Sequence, residues 1–210
     1  MNDEKFRNKY RIPSTRLATW DYGSNAAYFV TICTHDRRHA FGRVLGGQVE
    51  LSPLGEAAWD CWRAIPDHFP FAIADAFVAM PNHVHGIVII DKPADGVIAG
   101  TQNIATTDAG TQNIATTDVV ETQDLASLRR HPPQPMLYGN RFGPQSQNLA
   151  SIIRGFKIGV TKFARQHQIP FAWQDRYHDH IIRDTGGYDR IRTYIVENPL
   201  KWSRDRFHLA

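Results

Sequence analysis

The sequence predicts an α+β fold in which helices pack on an antiparallel sheet. Short segments rich in β-branched and aromatic residues alternate with segments whose apolar residues recur at helical spacing. The predicted order of the main elements is strand, helix, strand, strand, helix, strand, helix. This is the split βαββαβ order of a ferredoxin-like domain, followed by a C-terminal helix.

The predicted strands are recognisable from composition and from the turns between them. Residues 27–34 are rich in β-branched and aromatic residues, which predicts a strand. Residues 43–51 form two short strand-like segments around a Gly-Gly pair, which is typical of a hairpin. Residues 71–79 are apolar and strand-like, and residues 83–90 are apolar on both faces with His83 and His85 as the exceptions; a Pro-Asn turn separates the two segments. We therefore expect the last two segments to form a hairpin at the centre of a sheet covered on each side.

The predicted helices follow from capping residues and apolar periodicity. Ser52 predicts an N-cap before Pro53, and Pro66 is expected to end that helix. Residues 148–168 carry a second apolar stripe with a basic flank. A turn at the Gly186-Gly187 pair is expected before a final helix at residues 188–197.

One segment does not fit this pattern. The ten residues 99–108 recur letter for letter as residues 109–118, and the surrounding sequence is rich in Thr, Gln, Asn and Pro. Such a composition cannot bury enough apolar area to offset the entropy of ordering. We predict a flexible, repeat-containing insertion at residues 91–147 that interrupts a single domain of residues 26–205, with a basic N-terminal arm at residues 1–25.

Composition and charge restrict the setting of the protein. The formal net charge is +3, but residues 151–210 carry 11 lysines and arginines against 6 acidic residues, a local excess of 5. Such an excess favours an anionic partner, nucleic acid first, although a solvated basic surface is an equally simple interpretation. Two cysteines, a polar start and the lack of a long apolar run predict a cytoplasmic protein without membrane contact.

The residues that could carry chemistry lie on one strand and on the last helix. His83 and His85 are two apart on a strand and share a face, which gives either half of a metal site or two hydrogen-bonded sheet histidines. Tyr194 and Asn198 are four apart on a helix, so a phenol and an amide oxygen share one face. His178 and His180 form a second same-face pair, for which we favour a role in the sheet or in contact with DNA, with a rival metal site as the alternative.

Several linked blocks carry a resemblance to a known family. They include Met-Pro-Asn-His-Val-His at residues 80–85, Trp-Gln-Asp-Arg-Tyr-His-Asp-His-Ile-Ile-Arg at 173–183 and Tyr-Ile-Val-Glu-Asn-Pro-Leu-Lys-Trp at 194–202, together with residues 27–34 and 152–157. In this order they resemble the single-tyrosine HUH transposases, and most closely the REP-associated tyrosine transposases. The resemblance covers roughly residues 11–90 and 147–205.

The resemblance implies a function and a site. It implies an enzyme, a metal-dependent transposase that cleaves and rejoins single-stranded DNA through a 5′-phosphotyrosine intermediate and recognises hairpin (REP-like) DNA. His83 and His85 match the metal-binding pair, Asn198 matches the third ligand and Tyr194 matches the nucleophile. The implied cofactor is a divalent metal, Mg²⁺ or Mn²⁺. The oligomeric state is left open, because the wider family acts as dimers that exchange the tyrosine helix and the REP-associated branch as monomers.

Basic residues near these blocks are candidates for binding DNA phosphates, with solvated charge as the alternative for each of them: Arg154, Lys157, Lys162 and Arg183.

Two other functions stay open at this point. A ferredoxin-like sheet with exposed aromatic residues is also typical of non-catalytic proteins that bind single-stranded nucleic acid. A metal-dependent hydrolase of small phosphoesters would need the histidines but not Tyr194.

Overall fold

The computed structural model describes residues 16–17, 19–93 and 146–208, together with the backbone of residues 5–6 and 9–10. The 99–118 repeat, most of the predicted insertion and about half of the predicted N-terminal arm lie outside the described residues. The division into arm, domain and insertion therefore stays a prediction.

The strands are β1 (Lys5–Phe6), β2 (Lys9–Tyr10), β3 (Ala26–Cys33), β4 (Gly42–Leu45), β5 (Gln48–Leu51), β6 (Ala72–Met80), β7 (His83–Ile90) and β8 (His178–Ile182). The α helices are α1 (Pro53–Arg63), α2 (Ile65–His68), α3 (Leu149–Gln166) and α4 (Thr185–Glu197). Short 3-10 helices cover His35–Arg37 and Pro199–Arg204. Among the described residues, no helix is both long enough and apolar enough to cross a membrane.

The central sheet confirms the predicted α+β class. Its order is β6-β7-β3-β8, and each neighbouring pair is antiparallel. Taken with α1 and α3, the chain order of these strands is βαββαβ, so the first strand of the unit lies between the third and the fourth. Strands from both sides of the predicted insertion therefore share one sheet.

The two faces of the sheet pack against different helices. Along β3 and β7 the even-numbered residues pack with α1 and α3 in one large apolar cluster, whose centre includes Tyr28, Val30, Ile32, Val84 and Val88. The odd-numbered residues face the other way and form a smaller cluster with Ile195 of α4. Because side chains alternate along a strand, His83 and His85 both face the α4 side.

The helix starts follow from capping residues. The Ser52 hydroxyl accepts the amide of Gly55 at 3.1 Å, and the Asn148 side chain accepts that of Ser151 at 3.0 Å. The expectation that Pro66 ends the first helix is wrong. The helix α1 ends at Arg63, and Pro66 lies in the first turn of α2, where its missing N–H costs nothing.

The final helix begins earlier than its apolar pattern indicates. Gly186 and Gly187, expected to form a turn, lie in the first turn of α4. The carboxylate of Asp184 accepts the Gly187 amide at 2.7 Å and so starts the helix ahead of its apolar residues. Farther along α4, the Tyr188 hydroxyl donates a hydrogen bond to Asp75 of β6, which ties the helix to the sheet.

We expect Gly86→Ala to lower the free energy of unfolding by about 1–3 kcal/mol. A Cβ at position 86 would overlap the indole of Trp62. That indole cannot shift freely, because its Nε1 donates to the Asp75 carbonyl at 3.1 Å and its ring stacks on Phe77 at 4.7 Å. Urea unfolding measures the change.

Gly187→Ala is the matched control. A Cβ there would meet only ordinary contacts, the nearest being Asp184 Oδ1 at 3.4 Å. We expect this variant to be unchanged or up to about 1 kcal/mol more stable, because alanine reduces the entropy of the unfolded chain. Equal stability of Gly86→Ala and the natural protein would contradict the close packing of Trp62 on β7.

Candidate active site

The centre of the candidate site is a pair of buried imidazoles on β7. The side chains of His83 and His85 are 0% and 1% exposed, and their Nε2 atoms lie 3.1 Å apart. Two nitrogens that bind one ion at about 2.1 Å and at right angles to each other lie about 3.0 Å apart. The observed separation therefore matches two ligands of a single cation.

The neighbours of His83 determine which of its nitrogens carries the proton. Its Nδ1 lies 2.8 Å from Asn82 Oδ1, and Asn82 Nδ2 donates to the Phe207 carbonyl at 2.8 Å. Because the amide nitrogen of Asn82 is committed to that carbonyl, Oδ1 can only accept, and His83 Nδ1 must donate. The lone pair of His83 is therefore on Nε2, facing His85.

His85 is oriented by the neighbouring strand. Its Nδ1 lies 2.8 Å from the hydroxyl of Thr31 on β3. Burial lowers the pKa of both imidazoles well below the usual value, and the neighbouring His85 lowers the pKa of His83 further. Both rings are therefore neutral at physiological pH, which is the form that binds metals.

The last helix brings a phenol to this pair. The Tyr194 hydroxyl lies 3.2 Å from His85 Nε2 of the same chain, and the Tyr194 side chain is 38% exposed. The ring of Phe29 packs against both residues, with centroids 5.3 Å from His85 and 6.1 Å from Tyr194. The Tyr194 ring is thus packed on one side and open to solvent on the other.

The phenol is protonated in the free protein. Burial raises the pKa of Tyr194 above its ordinary value of 10.0, and the nearby charge of Asp205 raises it further. A hydrogen bond with Asn198 acts in the opposite direction. A nucleophilic role for this tyrosine would therefore need a cation or a base that removes its proton.

Asn198 follows α4 directly and is 1% exposed. Its Nδ2 lies 3.4 Å from Asp205 Oδ2. Among the described residues, its Oδ1 is buried without a hydrogen-bond partner. A buried carbonyl oxygen without a partner is costly, and a cation would satisfy it.

The sequence did not reveal one acidic member of the cluster. Asp205 lies after the 3-10 helix that follows α4, and its carboxylate joins His83 and His85 in a group whose ligand atoms all lie within 4.8 Å of one another. No periodicity links position 205 to the histidines. A faint signal is that Asp205 stands alone among the basic residues of 201–206.

The donor set fits a divalent cation. It contains two neutral imidazole nitrogens, one carboxylate and an amide oxygen, all from the described residues. A mixed nitrogen and oxygen set suits Mn²⁺ well, whereas Mg²⁺ prefers oxygen ligands. The residues present therefore fit the metal that the resemblance implies, without defining which metal it is.

The predicted DNA-binding residues lie away from this pair. Arg154, Lys157 and Lys162 belong to α3, on the opposite face of the sheet, and line a groove of about 810 Å³. Arg154 and Lys162 are exposed. Lys157 is half-buried, and its ammonium donates to the carbonyls of Gln174 at 3.0 Å and Arg176 at 3.1 Å.

Three further predicted residues lie on the edge strand β8 or directly after it. Arg183 is exposed directly after β8 and is not among the residues that line the α3 groove. His178 and His180 are exposed on β8, opposite Thr31 and Phe29, and so share the face of His85. In the part of the chain that the structure describes, no third potential ligand joins them, which leaves the rival metal site without support.

Comparison with known proteins agrees with the architecture. The structure is similar to that of a REP-associated tyrosine transposase bound to a REP hairpin, with a TM-score of 0.50 and 16% sequence identity over 90% of this chain and 74% of the other. The fold is therefore transposase-like. No family model matches the sequence.

One relative defines the family. The chain is 34% identical over 197 residues to an uncharacterised protein of Haemophilus influenzae, which covers 93% of this chain and 92% of that protein. The chain belongs to the same family as this Haemophilus protein.

We expect Thr31→Val to weaken Mn²⁺ binding about 10–100-fold and to lower the free energy of unfolding by about 1–3 kcal/mol, because the buried His85 Nδ1 loses its hydrogen-bond partner. Valine has nearly the shape of threonine but cannot hold His85 Nδ1, so the ring could rotate or change its protonated nitrogen. Isothermal titration calorimetry measures the affinity. Thr161→Val, which removes a hydroxyl bonded to the Lys157 carbonyl on the other face of the sheet, should bind Mn²⁺ normally. Equal affinities of the two variants would contradict the role of Thr31.

Proposed function

We propose that the protein is a metal-dependent transposase that cleaves and rejoins single-stranded DNA through a covalent bond to Tyr194. The observation that supports this most directly is the 3.2 Å distance between the Tyr194 hydroxyl and His85 Nε2, beside a second imidazole nitrogen. A non-catalytic binding protein has no need for a half-exposed phenol at a buried pair of neutral histidines.

The proposed reaction exchanges one phosphodiester bond for another. The Tyr194 oxygen attacks the scissile phosphorus, and the bond from phosphorus to the 3′-oxygen breaks. The phenol loses its proton, and the released 3′-oxygen takes up a proton to become a 3′-hydroxyl. A 5′-phosphotyrosine keeps the bond energy, so the 3′-hydroxyl of another strand can reverse the step and join DNA. A divalent cation, when bound, would withdraw charge from the phosphate and promote loss of the phenol proton.

Each residue of the site has a defined part in this proposal. His83, His85 and Asn198 would hold the cation, with the two rings kept neutral by burial. Thr31 and Asn82 orient the rings through Nδ1. Phe29 holds the Tyr194 ring from one side and leaves its hydroxyl accessible to a phosphate.

The arrangement supports cleavage within one subunit. Tyr194 reaches His85 of its own chain, because α4 packs on β6 and β7 and is tied to Asp75 through Tyr188. A complete set of reacting groups is thus present in one copy. We propose that a monomer can form the covalent intermediate.

The proposed substrate is a single strand that carries a hairpin, as in the transposase of similar fold, which is bound to a REP hairpin. Three basic residues, Arg154, Lys162 and Arg165, line the α3 groove beside apolar ones, and we propose that their charges contact the phosphates of such a stem. Tyr177 lines the same groove and directly precedes the edge strand β8. A stem bound there would leave its single-stranded flank free to pass the sheet edge, where Arg183 is exposed, toward Tyr194.

We expect Tyr194→Phe to form no covalent adduct with a single-stranded hairpin oligonucleotide while binding it with unchanged affinity. The substitution removes only the attacking oxygen. Denaturing gel electrophoresis in the presence of Mn²⁺ detects the adduct, and fluorescence anisotropy measures binding.

Thr193→Val is the matched control, because it removes an exposed hydroxyl from the same helix and leaves the bond from Tyr188 to Asp75 intact. This variant should still form the adduct. An undiminished adduct in Tyr194→Phe would identify a different nucleophile, and binding without an adduct in the natural protein would favour the non-catalytic alternative.

We expect the double substitution Arg154→Gln and Lys162→Gln to weaken hairpin binding and to reduce the salt dependence of log K by about 2, because two phosphate contacts are lost. Fluorescence anisotropy over a series of salt concentrations measures both quantities. Arg43→Gln with Arg63→Gln removes the same charge from other parts of the surface and should change the slope little. Equal slopes in the two double variants would exclude the α3 groove as the binding surface.

A further inference from the structure

We propose, on the basis of the metal role proposed above for His83 and His85, that Asp205 is a further ligand of the same cation. We also propose that Asn82 is the positioning residue that holds the segment carrying Asp205 against the site. The metal centre would then include a ligand from the chain beyond the tyrosine helix. Residues 205–208 are called the closing segment below.

The two oxygens of Asp205 have different surroundings. Oδ1 accepts the backbone amide of Phe207 at 2.7 Å, which closes a turn within the segment. Oδ2 lies 3.4 Å from the Asn198 side-chain nitrogen. A carboxylate can bind a cation with one oxygen while the other keeps a hydrogen bond, so the turn and the ligand role are compatible.

Asn82 joins the closing segment to the strand of the histidines. It is 0% exposed, and its side chain bridges His83 Nδ1 and the Phe207 carbonyl. Its own carbonyl accepts both the amide and the hydroxyl of Thr34, at 2.9 and 3.0 Å. Asn82 therefore determines which nitrogen of His83 is protonated, and it also holds the closing segment, which carries Asp205.

Aromatic packing reinforces this connection. The Phe207 ring is 4% exposed and lies 4.4 Å from the His83 ring, centroid to centroid. The guanidinium of Arg37 covers the outer side of Phe207 at 4.9 Å, and Arg37 also donates to the Arg206 carbonyl at 3.3 Å. The closing segment thus packs directly on the imidazole.

Charge gives a reason for a carboxylate at this place. Two neutral imidazoles and an amide oxygen offer a dipositive ion no negative charge. In the cluster of described residues, Asp205 is the acidic member. Its charge would compensate part of the cost of taking a divalent cation out of water into a buried site.

The proposal has a thermodynamic consequence. If the cation binds the closing segment as well as the histidines, then binding must stabilise the segment, and ordering of the segment must strengthen binding by the same factor. Cation occupancy and the exchange rate of the Phe207 amide are therefore coupled. A site formed by His83, His85 and Asn198 alone would not show this coupling.

The experiment compares Mn²⁺ affinities of the full-length chain and its variants by isothermal titration calorimetry, without DNA. We expect Asp205→Asn to lower the affinity at least about tenfold. Asparagine can still accept the Phe207 amide, so the melting temperature without metal should hardly change. Asp189→Asn, an exposed site on α4, is the charge-matched control and should bind Mn²⁺ normally. Natural affinity in Asp205→Asn would leave Asp205 as a turn residue only and overturn the proposal.

A second comparison tests the part played by Asn82. Asn82→Asp keeps an acceptor for His83 Nδ1 but cannot donate to the Phe207 carbonyl. We expect faster amide hydrogen exchange in residues 205–208 together with weaker Mn²⁺ binding, and in the natural protein we expect Mn²⁺ to slow exchange of the Phe207 amide. Faster exchange with unchanged affinity, or no effect of Mn²⁺ on that amide, would overturn the proposal.

These measurements distinguish failure of the proposed ligand role of Asp205 from failure of the proposed transposase reaction. Normal adduct formation together with unchanged Mn²⁺ affinity in Asp205→Asn would remove Asp205 from the site and leave the transposase reaction intact. Loss of Mn²⁺ affinity in Asp205→Asn, with no adduct in the natural protein, would keep the metal centre and remove the proposed reaction.

Discussion

The close approach of two neutral imidazole nitrogens inside the protein is the constraint on which the rest of the site depends. His83 and His85 bring their Nε2 atoms to 3.1 Å in a position that water hardly reaches. Asn82 directs the lone pair of His83 toward its partner, and Thr31 holds the other ring by Nδ1. Such a pair is stable only if a proton or a cation lies between its nitrogens, and the oxygens of Asn198 and Asp205 nearby favour a cation.

The sheet keeps the residues that stabilise the fold on one face and the residues of the candidate site on the other. The even-numbered residues of β3 and β7 bury a large apolar cluster against α1 and α3, while the odd-numbered residues meet α4 and the site. The helix α4 is held by Ile195 and by the bond from Tyr188 to Asp75, so Tyr194 can remain half exposed without loosening the helix. The basic groove on α3 lies on the face of the large apolar cluster, so in the proposed function the opposite face, with Tyr194, is left free for the DNA strand.

The sequence was sufficient for the features that depend on periodicity. A period of two predicted that His83 and His85 share a face, and the order of apolar segments predicted the sheet and its helices. Features that depend on particular contacts were not predictable in this way. Asp205 follows no spacing rule, and the ammonium of Lys157 is engaged by two carbonyls that only the fold brings near. Proline and glycine usually mark helix ends, but the first turn of a helix tolerates both residues. Pro66 therefore lies in the first turn of α2, and Gly186 lies in the first turn of α4 after the Asp184 cap.

The most direct test of the central claim is a crystal of the full-length chain soaked with Mn²⁺ and examined for anomalous scattering. We predict one strong peak within bonding distance of the Nε2 atoms of both His83 and His85, adjacent to the Tyr194 hydroxyl. A crystal that shows no peak there at saturating Mn²⁺, or a peak at His178 and His180 instead, would contradict this prediction.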